Sequence, residues 1–119
     1  MTKSAGREMM RMKSTITPSI VREKLRAGES VVLLDVREPY ELTGDLGHID
    51  GVINIPIDGL EARIGEIEHA RERDIVTICR SGGRATSAAK TLRRLGFERV
   101  YVMEGGTNAW RKEGYPVER

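Results

Sequence analysis

The chain of 119 residues holds a single cysteine, Cys79. One thiol closes no intramolecular disulfide and builds no multi-cysteine zinc site, so no covalent staple supports the fold. Histidine is scarce too: His48 and His69 stand well apart, and with one cysteine they form no metal-ligand set. Neither a metal nor a cofactor is expected. Long apolar runs are missing, none approaching the roughly 18–20 residues that span a bilayer, so no membrane partner is expected. The stretch from Met1 to Ser14 has no apolar segment of the secretory kind and reads as a flexible leader, residues 1–14, ahead of one domain over 15–119. A lone thiol without a signal fits a reducing, cytoplasmic setting. An excess of one charge is also lacking. Residues 1–13 carry four basic groups against one acid, and the rest of the chain carries 16 basic and 17 acidic groups. A domain so near neutrality has no electrostatic footprint for nucleic acid.

What is present fits a globular α/β domain. Hydrophobic residues are 39% and charged residues 32% of the chain, enough for a single modest core. Thr17 suits a helix N-cap and Pro18 a first helical position, with Ile20, Val21 and Leu25 as the apolar stripe and Gly28 as the stop. Val31–Leu34, Ile75–Ile78 and Val100–Met103 are continuous apolar runs without alternation, as in strands covered on both faces. Val52–Ile55 reads as a further short strand, and Pro39–Asp45 as a short helical or irregular stretch. Leu60, Ile64 and Ile67 predict a helix over 58–69. Ala85, Ala88, Ala89, Leu92 and Leu95 mark another, ending at Gly96. Gly105-Gly106 leads to a last helix with Ala109 and Trp110, closed by Gly114. Strands alternating with helices predict a small open, mainly parallel sheet with helices on both faces.

Ligands of such sheets gather beyond the carboxyl ends of the strands. Cys79 is the first residue after Ile75–Ile78, and Arg80-Ser81-Gly82-Gly83 leads straight into the helix that starts near Arg84. Adjacent glycines let the backbone curl so that several N–H groups converge. Those groups and the helix N-terminus attract an anion and stabilise a thiolate. Arg80 and Arg84 add cationic charge on either side. The competing reading is a buried structural cysteine, with Gly82-Gly83 a tight turn and Arg84 a solvated helix-start residue. A purely structural cysteine needs neither the glycine pair nor the arginines, yet the loop residues alone leave both readings open. Elsewhere, Arg37 is expected in an ion pair with Asp35 or Glu41, Trp110 in the core or at the rim of the site, and His69 on a solvated helix.

Four segments, in order, resemble the signatures of the rhodanese family. They are Asp35-Val36-Arg37-Glu38, the run from Gly47 through His48 to Pro56, Cys79–Arg84, and Glu104-Gly105-Gly106 with Ala109-Trp110 and Gly114-Tyr115-Pro116-Val117. The resemblance extends from about Thr17 to Val117 and identifies residues 15–119 as a rhodanese-like domain. It implies sulfane-sulfur transfer from a small anionic donor such as thiosulfate, through a persulfide on Cys79, to a thiophilic small molecule or an acceptor protein. It makes Cys79 the nucleophile and Arg80, Ser81, Gly82, Gly83 and Arg84 the substrate cradle, and gives His48 a structural place. Related cysteine phosphatases and arsenate reductases carry one more residue between cysteine and arginine, so the shorter loop favours a single sulfur atom over a tetrahedral phosphate. A persulfide carrier, a phosphatase or arsenate reductase, and a non-catalytic binding module are the alternatives. The stretch Leu42–Gly47 is longer than the family's spacing and predicts a larger surface loop.

Overall fold

Thr17 and Pro18 open the first helix by the expected chemistry. In the computed structural model, which describes residues 14–119, the Thr17 hydroxyl accepts the Ile20 N–H at 3.3 Å and Pro18 begins α1, Pro18–Arg26. Most of the expected leader lies outside the described residues. Ser14 lies within them, and its carbonyl accepts the Val102 N–H at 2.9 Å.

The three apolar runs form strands β2 (Val31–Asp35), β4 (Asp74–Ile78) and β5 (Val100–Met103). Two-residue strands, β1 (Thr15–Ile16) and β3 (Ile53–Asn54), add the edges. The order is β1-β5-β4-β2-β3, and every pairing is parallel. Alternate residues of one strand then enter different cores, which is why these runs need no polar face. Val32, Leu34 and Ile75 pack with Ala85, Ala88, Ala89 and Leu92 of α3 (Gly83–Arg94). Leu33, Val76 and Ile78 face Val21 of α1 and Trp110 of α4 (Gly106–Lys112). The small side chains of α3 let its backbone lie close to the sheet.

Two expectations need correcting. The helix predicted over 58–69 is instead a pair of 3-10 segments, Ile57–Gly59 and Ile64–Ala70, the latter kinked at Ile67 where φ is −122°. Gly59 and Gly65 weaken a continuous α-helix there, yet Leu60 and Ile67 are still buried. The strand expected over Val52–Ile55 shrinks to Ile53–Asn54, because β2 offers it only Leu34 and Asp35 as partners. Among the described residues, no helix is long and apolar enough to cross a membrane.

Candidate active site

The chain runs from β2 to the β3 edge and then returns to place β4 on the other side of β2, with β5 beyond it. The strand order therefore reverses between β2 and β4, and crevices for ligands form at such switch points. Cys79 leaves the carboxyl end of β4 there, beside the end of β2, where Val36 N–H donates to the Ile78 carbonyl at 2.9 Å.

Cys79 is 1% exposed, with its sulfur aimed at the loop that follows it. The Gly82 N–H donates to Cys79 Sγ at 3.0 Å. Gly82 reaches that position with φ +127°, a backbone region closed to most side chains, and acts as N-cap of α3. Among the described residues, the backbone N–H groups of Ser81, Gly83 and Arg84 donate to no protein acceptor, leaving them open to an anion. Arg80 and Ser81 are exposed, whereas Gly82 and Arg84 are half-buried. The loop's outer side is fixed by α4: Thr107 N–H donates to the Cys79 carbonyl at 2.9 Å and Asn108 N–H to the Arg80 carbonyl at 3.0 Å. Gly106, with φ +59°, makes this approach possible, since a side-chain carbon there would overlap both carbonyls.

Arg84 does not stand as a free cation beside the thiol. Its two terminal nitrogens donate to Glu41 Oε2 at 2.7 Å and Oε1 at 3.0 Å. Glu41 comes from the short helix α2, Pro39–Leu42, where its carboxylate also accepts the Glu38 N–H at 2.9 Å in a capping box. The hydrogen bonds from Arg84, then that from the Glu38 backbone, hold the Glu41 carboxyl down at about 2. Arg84 is pushed above its usual value, first by its hydrogen bonds to Glu41 and, against the effect of burial, by the Glu41 charge.

A buried ion pair anchors α2 in turn. Asp35 and Arg37 are 0% and 1% exposed. Arg37 Nε donates to Asp35 Oδ1 at 2.9 Å and Nη2 to Oδ2 at 2.8 Å, so Asp35 is the expected partner that the fold selects. The same guanidinium donates to the Gly47 carbonyl at 2.8 Å and the Glu41 carbonyl at 3.4 Å, clamping both ends of the Leu42–Gly47 loop. Asn54 Nδ2 closes the group by donating to the Asp35 and Arg37 carbonyls. Every charge removed from water here is thus paired and hydrogen-bonded, as burial demands.

The remaining residues fall into place around this frame. His48 donates through Nδ1 to the Leu42 carbonyl at 2.9 Å and pairs its backbone with Glu118, a structural position. Trp110 lies in the core, its indole N–H donating to the Pro116 carbonyl at 2.9 Å. His69 is exposed. The sequence reading missed Glu41 as part of the Cys79 neighbourhood; its signal is the acid three residues after Glu38 at a proline-led helix start.

Known proteins resemble this chain over most of its length. The family model for the rhodanese-like domain matches residues 17–113. A sulfurtransferase of Allochromatium vinosum is 33% identical over 106 residues, which are 89% of this chain and 95% of that protein. A probable adenylyltransferase/sulfurtransferase of Mycobacterium tuberculosis is 35% identical over 87% of this chain, and the match spans only 26% of that protein's length. Among solved structures, a rhodanese-related protein from Thermoplasma volcanium superposes with a TM-score of 0.75 at 36% identity, covering 86% of this chain and 94% of its own. A protein of Rhodopseudomonas palustris described as a possible tyrosine phosphatase gives a TM-score of 0.81 at 31% identity, covering 93% and 89%. The parallel five-stranded sheet, the order of the motifs and these matches agree: the chain belongs to the rhodanese-like domain family, whose homologues include sulfurtransferases.

Proposed function

We propose that this protein transfers a sulfane sulfur through a persulfide on Cys79, taking it from a small anionic donor such as thiosulfate. The observation that carries the reading is the Gly82 N–H held 3.0 Å from Cys79 Sγ at the N-terminus of α3. The thiolate attacks the outer sulfur of thiosulfate, a new S–S bond forms, and sulfite leaves with the electron pair of the old one. The persulfide's terminal sulfur then carries the charge, and the backbone N–H groups of Ser81 to Arg84 stabilise it as they stabilised the thiolate. Arg80 contributes positive charge at the open side of the loop. A nucleophilic acceptor next removes the terminal sulfur and restores the thiolate.

Cys79 is the chain's one cysteine, so no internal thiol resolves the persulfide and the sulfur leaves to an external acceptor. That supports a second reading, delivery to an acceptor protein. A putative sulfur carrier protein of Bacillus subtilis, 37% identical over 75% of this chain, has a name of that kind. A phosphatase reading fits less well, since the loop is short and Arg84, which would clasp a phosphate, is occupied by Glu41. A solvated, cytoplasmic setting suits a reactive thiol that must stay reduced.

Intact-mass measurement after incubation with a sulfane donor tests the proposal. One added sulfur atom is expected, removable by cyanide or a reductant and absent from Cys79→Ala. No adduct with thiosulfate or with a low-molecular-weight persulfide would overturn it, and efficient aryl-phosphate hydrolysis would put a phosphatase in its place.

A further inference from the structure

The Glu41–Arg84 pair bears on which donor the loop accepts. Its two side chains are 17% and 37% exposed, so the pair borders the site without being a fully solvated surface contact. Glu41 is held in place independently of Arg84. The Glu38 N–H binds its carboxylate and the buried Arg37 binds its carbonyl. The carboxylate is therefore a fixed feature of the loop's surroundings, one that a passing side chain does not match. Of the two arginines in the loop, Arg84 is engaged by Glu41 and Arg80 is exposed. Arg80 and the backbone N–H groups are then left to receive a donor's charge.

We propose that Glu41 is a specificity-determining residue: by neutralising Arg84 it makes the Cys79 loop select singly charged sulfur donors, alkyl persulfides, over doubly charged ones such as thiosulfate. Backbone dipoles stabilise one negative charge on a terminal sulfur well. A second charge, spread over sulfite oxygens, calls for a second guanidinium beside Arg80, and Arg84 is engaged by Glu41. With an alkyl persulfide, the Cys79 thiolate attacks the terminal sulfur, the donor's S–S bond breaks, and the alkyl thiolate departs with its electron pair. The donor then brings one charge to the loop, where thiosulfate brings two. This inference rests on the sulfurtransferase reading and narrows its donor class.

The test compares thiosulfate with cysteine persulfide as donors in single-turnover loading of Cys79, followed by intact mass. In Glu41→Gln, which preserves an acceptor for the Glu38 N–H, the second-order loading rate constant for thiosulfate relative to cysteine persulfide is expected to rise about tenfold or more. In Arg84→Gln, which leaves Glu41 unneutralised, the ratio is expected to fall by a similar factor, so a folding failure of one variant leaves the other to decide. A ratio within about twofold of wild type in either folded variant overturns the proposal. Sulfate, which transfers no sulfur, supplies an arm independent of catalysis. Its dissociation constant, from thermal-shift titration at constant ionic strength, is expected to fall about tenfold in Glu41→Gln. If neither donor loads wild-type Cys79, the sulfurtransferase reading fails by itself, and unchanged sulfate binding then overturns the role of Glu41 separately.

Discussion

Replacing Asp35 with asparagine isolates the buried charge on which the site's frame depends. Asp35 and Arg37 are essentially inaccessible to water, so each serves as the other's counter-charge. In Asp35→Asn, one oxygen can still accept from Arg37, but the new amide nitrogen meets an N–H donor where an oxygen accepted at 2.8 Å. Arg37 keeps the Gly47 carbonyl at 2.8 Å and the Glu41 carbonyl at 3.4 Å, neither of which carries a compensating charge. Removing one member of a buried pair in this way costs about 3–5 kcal/mol, a large share of the roughly 5–15 kcal/mol that holds a domain folded. With a urea m-value of about 1–3 kcal/mol/M, the unfolding midpoint should fall by at least about 1 M at unchanged m. Trp110, the only tryptophan and 1% exposed, supplies the fluorescence signal for equilibrium unfolding. Replacing both partners together, Asp35→Leu with Arg37→Met, should recover much of the loss, because no unpaired charge is left behind. A cost below about 1 kcal/mol for Asp35→Asn, or a double variant less stable than the single one, would refute the reasoning.

Other perturbations probe the loop and its neighbours. Gly106→Ala, at φ +59° and against the Cys79 and Arg80 carbonyls, should destabilise by about 2 kcal/mol or more, seen in the same urea assay. It should also slow Cys79 alkylation or sulfur loading by disturbing the loop; a neutral outcome would show that α4 does not set the loop's position. The Glu41 carboxyl is depressed to about 2, well below the usual carboxylate range, so its contribution to stability is present above about 4.5 and is lost as pH falls toward about 2. Between neutral pH and about pH 3, wild type should therefore lose more stability than Glu41→Gln, measured by urea midpoints at each pH. Parallel losses in the two proteins would mean that the pair does not titrate as its geometry requires.

Local signals carried much of the architecture. Val31–Leu34, Ile75–Ile78 and Val100–Met103 are strands in the sequence and in the structure, because burial on both faces leaves a continuous apolar run that no surface strand shows. Thr17-Pro18 likewise announces α1 through a cap and a preset φ, both properties of adjacent residues. Residues 58–69 show the limit of periodicity. Leu60 and Ile67 point inward as a helix would place them, but Gly59, Gly65 and the kink at Ile67 give 3-10 segments that bury the same side chains. The strand Thr15–Ile16 has no signature at all, for it exists only by pairing with Val102 and Met103 of β5.

The sequence by itself determined that Cys79 ends a buried strand and opens a glycine-rich turn into a helix, since strand, turn and cap are all written in consecutive residues. Only the tertiary structure decided what surrounds that sulfur. The Arg84 side chain, which the loop alone presents as a free cation, is bound to Glu41, 43 residues earlier in the chain. Glu41 is in turn fixed by Arg37 and the buried Asp35. The Cys79 carbonyl is held by Thr107, 28 residues later. Contacts at such separations arise where parallel strands bring their carboxyl ends together, and the net charge around Cys79 is a property of that convergence rather than of the loop.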